Sequence, residues 1–374
     1  MKKKIIVMFT SVGLGHKVIA ENIAQALRKQ PNLDVVMLDV LEFYRGPLTE
    51  TSEKIYLWII KHIPRLWGFF YTNRIFNWLA LPLRRPLAAS KSQKMLAYLL
   101  REKPDLVLTT QTTATAVMSY LKGKRLYEGP LVTTFSDYHF QPFWVYSHVD
   151  RYLGIIPEHE GNIRDCGEKT VSVVITGMPV DAAFSEKHDV GAVMKKYDLS
   201  KVKPLVLVMG GSRGWGIKIA DVEALLATDL DIQVVVICGT NKVMEQKLLA
   251  IQKQYQSALR VMGAWSNEEV AELYSIANVL VTKPGGLTIA QALLNNLPMV
   301  LVNPLPTMEE MNEEYLVRRG LAVSAKNPEQ LRQWVERLLL DKKYYQQVRE
   351  RMKPFASPVA AQTAAAAIID ILPR

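Results

Sequence analysis

The sequence predicts an α/β fold of two doubly wound, Rossmann-like domains in tandem, and three observations predict it. Short β-branched runs alternate with stretches of helical period through most of the 374 residues. The alternation breaks once, in the polar stretch "SEKHDVGAVMKKYDLSKVKP" after Phe184, and then restarts. Each half opens alike, with an apolar run, a glycine turn and a helical pattern: "VMFTSVGLGHKVIAENIAQAL" and "VLVMGGSRGWGIKIADVEALL". The length suits two domains at roughly 150 residues each.

In the first half, strands are expected at 5–9, 35–38, 106–109, 131–134, 152–155 and 171–176, with helices at 17–28 and 90–101 between them. In the second, strands are expected at 205–209, 234–238, 259–262, 279–282 and 299–302. The stretch 359–372 is an alanine-rich helix with no strand after it. The expected domains are 1–185, 186–352 and a terminal helix at 353–374, free to cross back onto the first domain. In open α/β sheets ligands sit beyond the carboxyl ends of the strands, so two such domains are expected to face each other across a cleft.

Hydrophobic residues make up 49% and charged residues 22%, a globular composition. Cys166 and Cys238 lie too far apart for a disulfide framework or metal cluster, which fits a reducing compartment. The amino-terminal "MKKKIIVMFTSVGLGH" has a basic start but too short an apolar run for a signal peptide, and reads as a first buried strand.

The formal net charge is +10, and between Arg45 and Lys103 eleven Lys/Arg face only three acids, so this segment carries +8 of it. Within it lies "LWIIKHIPRLWGFFYTNRIFNWLALPLRR", rich in both aromatic and basic side chains. Asn73, Arg74 and Asn77 interrupt its apolar run, and Pro64 and Pro82 bracket it, so it is not expected to span a bilayer. Trp58, Arg65, Trp67, Phe69, Phe70, Arg74, Trp78, Arg84 and Arg85 instead suit an anionic membrane–water interface. Each basic residue there adds about 1 kcal/mol. The competing reading is a buried helix pair with a solvated basic rim. Nothing in the chain resembles a nucleic-acid-binding module, so nucleic acid is not an expected partner.

Two glycine turns in the second half are candidate anion seats. A helix amino terminus leaves backbone N–H groups unpaired and carries about half a positive charge. A phosphate reaches those groups only where no side chain blocks it. In "VTKPGGLTIAQAL", Gly285 and Gly286 meet that need and Thr288 adds a hydroxyl. Gly210, Gly211 and Ser212 offer a second set of amides, and Arg213 adds charge. Together they suit a diphosphate; tight turns without a ligand are the alternative. A nicotinamide dinucleotide is a further alternative, supported by Asp39 at the end of the second strand. Against it, Val18 stands where that fingerprint needs its third glycine.

The pieces "SVGLGHKVIAENIAQAL", "DYHFQPFW", "VDRYL", "TGMPVDAAF", "VMGGSRGWG", "ICGTN", "KPGGLTIAQAL" and "PTMEEMNEEYL" recur in this order across almost the whole chain. By them the chain resembles GT-B-fold glycosyltransferases of the group containing monogalactosyldiacylglycerol synthases, processive diacylglycerol glucosyltransferases and the peptidoglycan lipid-intermediate N-acetylglucosaminyltransferase. The resemblance implies a UDP-sugar donor in the C-terminal domain. Its diphosphate is expected on Gly211, Ser212, Gly286, Leu287 and Thr288, with Arg213, Gly285 and, from the first domain, Gly15 beside it. Uracil is expected near Ala264 and Trp265. Gln291 takes the place of the family's ribose-binding acid, and Pro306-Thr307-Met308-Glu309 stands for its Pro-Gly-Gln-Glu, with Glu309 and Asn312 retained.

The implied reaction is inverting transfer of a hexose to a lipid hydroxyl at the cytoplasmic face of a membrane. Diacylglycerol or a glycosyl-diacylglycerol is the first-choice acceptor and a polyprenyl-diphosphate-linked sugar the second. His16, after the first glycine turn, is the leading base, with Asp137 and His139 next. The competing role for His16 is to prop its own helix. Phe135 occupies the family's aspartate position and Gln111 that of a histidine approaching the acceptor. No metal or other cofactor is expected: the lone Asp-x-Asp, Asp229 to Asp231, precedes a strand instead of following one. A UDP-sugar epimerase and a degenerate sugar-nucleotide-binding protein are the rival readings.

Overall fold

The structure, a computed structural model, describes residues 2–11, 14–43 and 84–373. The membrane-facing candidates from Trp58 to Trp78 lie outside the described residues. Arg84 and Arg85 open the helix Arg84–Glu102. Among the described residues no helix is long and apolar enough to cross a membrane.

The chain forms two compact units, one of Met1–Val180 with Val359–Arg374 and one of Asp181–Pro358. In the first, β1 (Lys3–Phe9), β2 (Leu33–Asp39), β3 (Leu106–Thr109), β4 (Leu131–Thr134), β5 (Arg151–Gly154) and β6 (Ser172–Ile175) form one sheet. Their order is β2-β1-β3-β4-β5-β6, and every pair is parallel. In the second unit, β7 (Leu205–Met209), β8 (Gln233–Ile237), β9 (Leu259–Met262), β10 (Val279–Thr282), β11 (Met299–Leu301) and β12 (Ala322–Ser324) do the same. Their order is β12-β11-β10-β7-β8-β9, again parallel throughout.

Parallel strands joined by crossover helices have both faces covered, so they are apolar along their whole length. β3, β7, β8 and β10 are buried at every position, which is why they read as unbroken apolar runs. The helix Leu14–Arg28 packs one face inward through Ile19, Ala20, Ile23, Ala24 and Leu27, all at most 1% exposed. Against it lies the last helix, Ala360–Ile369, whose small buried Ala360, Ala364, Ala365 and Ala367 permit a close approach. Arg151 of β5 fixes that helix further, donating to the Ala367 carbonyl at 2.6 Å and pairing with Asp370 at 2.8 Å.

Several elements differ in their bounds from the sequence reading. β12 was not expected: it is three residues long and contains Ala and Ser, too short for a periodic signal. The helix expected at 90–101 begins six residues earlier, at Arg84; after the second glycine turn, Gly286 is the first residue of its helix and Gly285 the N-cap.

Candidate functional site

The strand orders decide where a ligand can sit. In the second sheet, β7 has β8 on one side and β10 on the other, so the chain reverses its direction of winding between β7 and β10. Crossovers there leave in opposite directions and open a crevice beyond the carboxyl ends of the two strands. The turns that fill it are Gly210–Gly216 after β7 and Lys283–Gly286 after β10. The two glycine turns therefore belong to neighbouring strands, paired at Met209 and Thr282.

Side chains around these turns are tightly specified. Gly211 and Gly216 have φ of +72° and +91°, the left-handed region that side chains disfavour. The stem of Lys283 lies over both: an added Cβ would fall 3.6 Å from its Cε at Gly211 and 3.2 Å from its carbons at Gly216. Its ammonium pairs with Glu309, whose second oxygen accepts from the Leu305 N–H at 2.7 Å. Arg213, expected to supply charge here, lies over the Trp215 ring at 5.1 Å. Asn303, also left-handed, donates to the Gly216 carbonyl at 2.9 Å and to Asp221 at 2.7 Å, bracing the first turn.

Asn312 braces the second turn. It is fully buried and its amide donates to the Pro284 carbonyl at 3.1 Å. That bond holds the Pro284–Gly285 turn in place. Gln291 is buried on the helix Gly286–Leu294. Trp265 packs on Tyr197 with centroids 4.8 Å apart, and Ala264 beside it is exposed. Ser212 is exposed at the tip of its turn.

Thr307 stands where the resembled family has glycine, and its backbone shows why. Its φ of +76° and ψ of −75°, with the Met308 N–H donating to the Pro306 carbonyl at 3.1 Å, make a γ-turn of the strained hand. That strain sits one residue before the helix Met308–Arg318, which carries Glu309. Thr307→Gly is expected to be more stable than Thr307→Ala by about 1 kcal/mol, reversing the usual order of the two residues. Thermal or urea unfolding of the two variants checks it; equal stabilities would mean the turn relaxes.

In the first sheet the winding reverses between β1 and β3. His16, in the first turns of the helix after β1, is tied to the end of β3: Thr110 donates from its hydroxyl to the His16 carbonyl at 3.0 Å. The ring is half-buried and its Nδ1 has no partner among the described residues. Burial holds the imidazole below its usual pKa of 6.5, while the Asp137 charge and the Thr110 backbone pull the other way. Gly15 precedes it in the same turn, and an added Cβ there would meet open space.

Of the other two expected groups, Asp137 is half-buried and accepts from the Ser136 hydroxyl at 2.9 Å. His139 is 5% exposed, with its ring 5.1 Å from that of Trp144. Phe135 is buried among His159, Tyr152, Trp144 and Phe140, with the His159 ring 4.5 Å away. His159 is wholly buried and accepts from the Ile155 N–H at 3.2 Å. Burial, then the nearby His139, push its pKa down to about 3, so it is neutral at working pH. Gln111 caps the helix Thr112–Gly123, accepting from the Thr113 N–H at 2.7 Å.

Comparison with known proteins places this geometry. The family description "Monogalactosyldiacylglycerol (MGDG) synthase" matches residues 16–180, and "Glycosyl transferases group 1" matches residues 219–355. A processive diacylglycerol beta-glucosyltransferase of Bacillus cereus (strain AH187) is 28% identical over 367 residues, 96% of this chain and 91% of its own length. The chain is a GT-B glycosyltransferase similar to the monogalactosyldiacylglycerol synthase group. The fold of this glycosyltransferase matches that of Acinetobacter baumannii MurG with a TM-score of 0.63 at 15% identity, over 98% of this chain and 99% of that one. It also matches UDP-GlcNAc 2-epimerase from Neisseria meningitidis bound to UDP-GlcNAc, with a TM-score of 0.60 at 12% identity, over 98% and 100%. The fold alone therefore serves both transfer and epimerisation, and the glycosyltransferase assignment rests on the sequence relatives.

Proposed function

We propose that this glycosyltransferase moves a hexose from a UDP-sugar to the hydroxyl of diacylglycerol or a glycosyl-diacylglycerol, with inversion, while bound peripherally to an anionic membrane. The observation that carries the donor half is the pairing of β7 with β10, which sets two amide-rich glycine turns side by side at the winding reversal. The name of the Bacillus cereus relative supports the lipid half. The +8 segment between Arg45 and Lys103 supports a membrane surface.

In this reading the diphosphate lies on the amides of Gly211, Ser212, Gly286, Leu287 and Thr288. Uracil lies near Ala264 and Trp265, and the ribose near Gln291. The acceptor oxygen attacks the anomeric carbon as the bond from that carbon to the diphosphate breaks. UDP leaves with the bond's electrons, and the amide dipoles stabilise its growing charge without having to reorganise. The hydroxyl proton passes to the His16 imidazole, which burial keeps neutral and ready to accept it. Asp137 raises the basicity of His16 and stabilises the imidazolium that forms. His139, packed on Trp144, is the next candidate base.

The test is incubation of the protein with UDP-glucose, UDP-galactose or UDP-N-acetylglucosamine and vesicles containing diacylglycerol and anionic lipid, with products read by mass spectrometry. Glycosylated diacylglycerol and free UDP are the expected products. Interconversion of UDP-sugars with no lipid product would make it an epimerase, and no consumption of any donor would overturn the reading.

A further inference from the structure

The proposed donor seat has a charge problem that its amides do not solve. A diphosphate carries full negative charges into a half-dehydrated crevice, and backbone dipoles answer them only in part. Arg213 is engaged on the Trp215 ring, and Lys242, on the neighbouring helix, pairs with Glu245 at 2.8 Å. Lys283 is placed differently. Its stem is held between the two glycine turns, and its Nζ lies 3.6 Å from where a Cβ on Gly285 would stand.

Lys283 is already paired, with Glu309, and both side chains are largely out of water at 17% and 11% exposure. Burying such a pair is tolerable only while each charge keeps a partner. Glu309 retains one in any case, since its other oxygen accepts from the Leu305 N–H. We propose that Lys283 is the counter-charge for the donor diphosphate, and that donor binding trades the Lys283–Glu309 ion pair for two new contacts. The ammonium turns to the phosphates, and the carboxylate oxygen it releases accepts from the hydroxyls of the sugar. This rests on the donor seat of the proposed function and deepens it. The consequence is coupling: the group that reads the hexose is set free only when the diphosphate is in place. A sugar without its diphosphate meets a carboxylate already occupied.

Calorimetric titration of the full-length protein with UMP, UDP, UDP-glucose and UDP-galactose tests the trade. In Lys283→Met, which keeps the apolar stem, UDP affinity is expected to fall at least about tenfold and UMP affinity less than about threefold. UMP thus serves as an internal control that the turns are still folded. In Glu309→Gln the competing charge is gone, so UDP is expected to bind about threefold tighter, while the affinity gained on adding the hexose to UDP is lost. Equal losses for UMP and UDP in Lys283→Met would make the lysine a packing residue and overturn the proposal. A Glu309→Gln variant that binds UDP more weakly than the native protein would overturn the trade. Failure of the native protein to bind any of the four ligands would sink the donor seat itself, a result distinct from either.

Discussion

Replacing His16 with glutamine is expected to lower kcat on a diacylglycerol acceptor by about 10²- to 10⁴-fold, the range a positioned general base contributes, with donor KM changed little. Glutamine keeps the size and some polarity of imidazole, so the helix Leu14–Arg28 and its tie to Thr110 through the His16 carbonyl stay intact. What is lost is a group that takes up a proton near neutral pH. The pH profile separates this from a propping role. A base must be neutral to act, and burial lowers the His16 pKa below 6.5. Protonation on acidification therefore switches the native enzyme off below pH 6.5, and the acid limb of kcat/KM is expected there. In His16→Gln that limb should vanish along with most of the rate. Asp137→Asn is expected to move the limb further toward acid, because the Asp137 charge raises the His16 pKa. If His16→Gln retains most of its rate and the same acid limb, His16 is a prop and the base lies elsewhere.

Much of the fold was legible because buried parallel strands carry their own signal. β3, β4, β7, β9 and β10 are found with the expected end residues, each an apolar run cut off by polar or turn-forming residues. β12 lacked such a run. The glycine turns after β7 and β10 were legible for the same local reason. Which of their neighbours would count was not, because strand pairing sets it. Lys283 lies two residues before Gly285 in the chain, yet its position over Gly211 and Gly216 follows from β10 lying beside β7. The burial of Asn312 was equally out of reach: the orientation of the helix Met308–Arg318 sets it, and the residue's polarity gives no sign of it. Phe135 was visible only as a departure from a family pattern. Its partners Tyr152 and His159 come from β5 and the helix Glu158–Asp165, which no local window joins to it.

Gly285→Ala and Gly214→Ala are expected to fail in opposite ways, and the contrast asks directly what the glycines are for. At Gly214 φ is +61° and an added Cβ would lie 2.0 Å from the Cys238 carbonyl oxygen, a backbone atom that has nowhere to go. Alanine there should cost at least about 1–3 kcal/mol of stability through strain and overpacking, and any loss of activity would follow from that. Gly285 has φ of −74° and ψ of 133°, open to any residue. An added Cβ there would sit at ordinary contact distance from Lys283 Nζ (3.6 Å), Glu309 Oε1 (3.7 Å) and Thr288 Oγ1 (4.0 Å). Nothing in the folded protein requires glycine at this position. Alanine should leave stability within about 1 kcal/mol of native, since its narrowing of the unfolded ensemble is set against the preference for glycine over alanine at an N-cap. Yet three polar groups surround that methyl, and in the proposed site Lys283 and Thr288 face the diphosphate and Glu309 the sugar. Donor KM is therefore expected to rise about tenfold or more, equivalent to at least ~1.4 kcal/mol of lost binding. Thermal unfolding and donor KM measured on both variants decide the matter. If Gly285→Ala unfolds early, or folds well and binds donor normally, that glycine is not there for a phosphate, and the seat on the helix Gly286–Leu294 loses its main support.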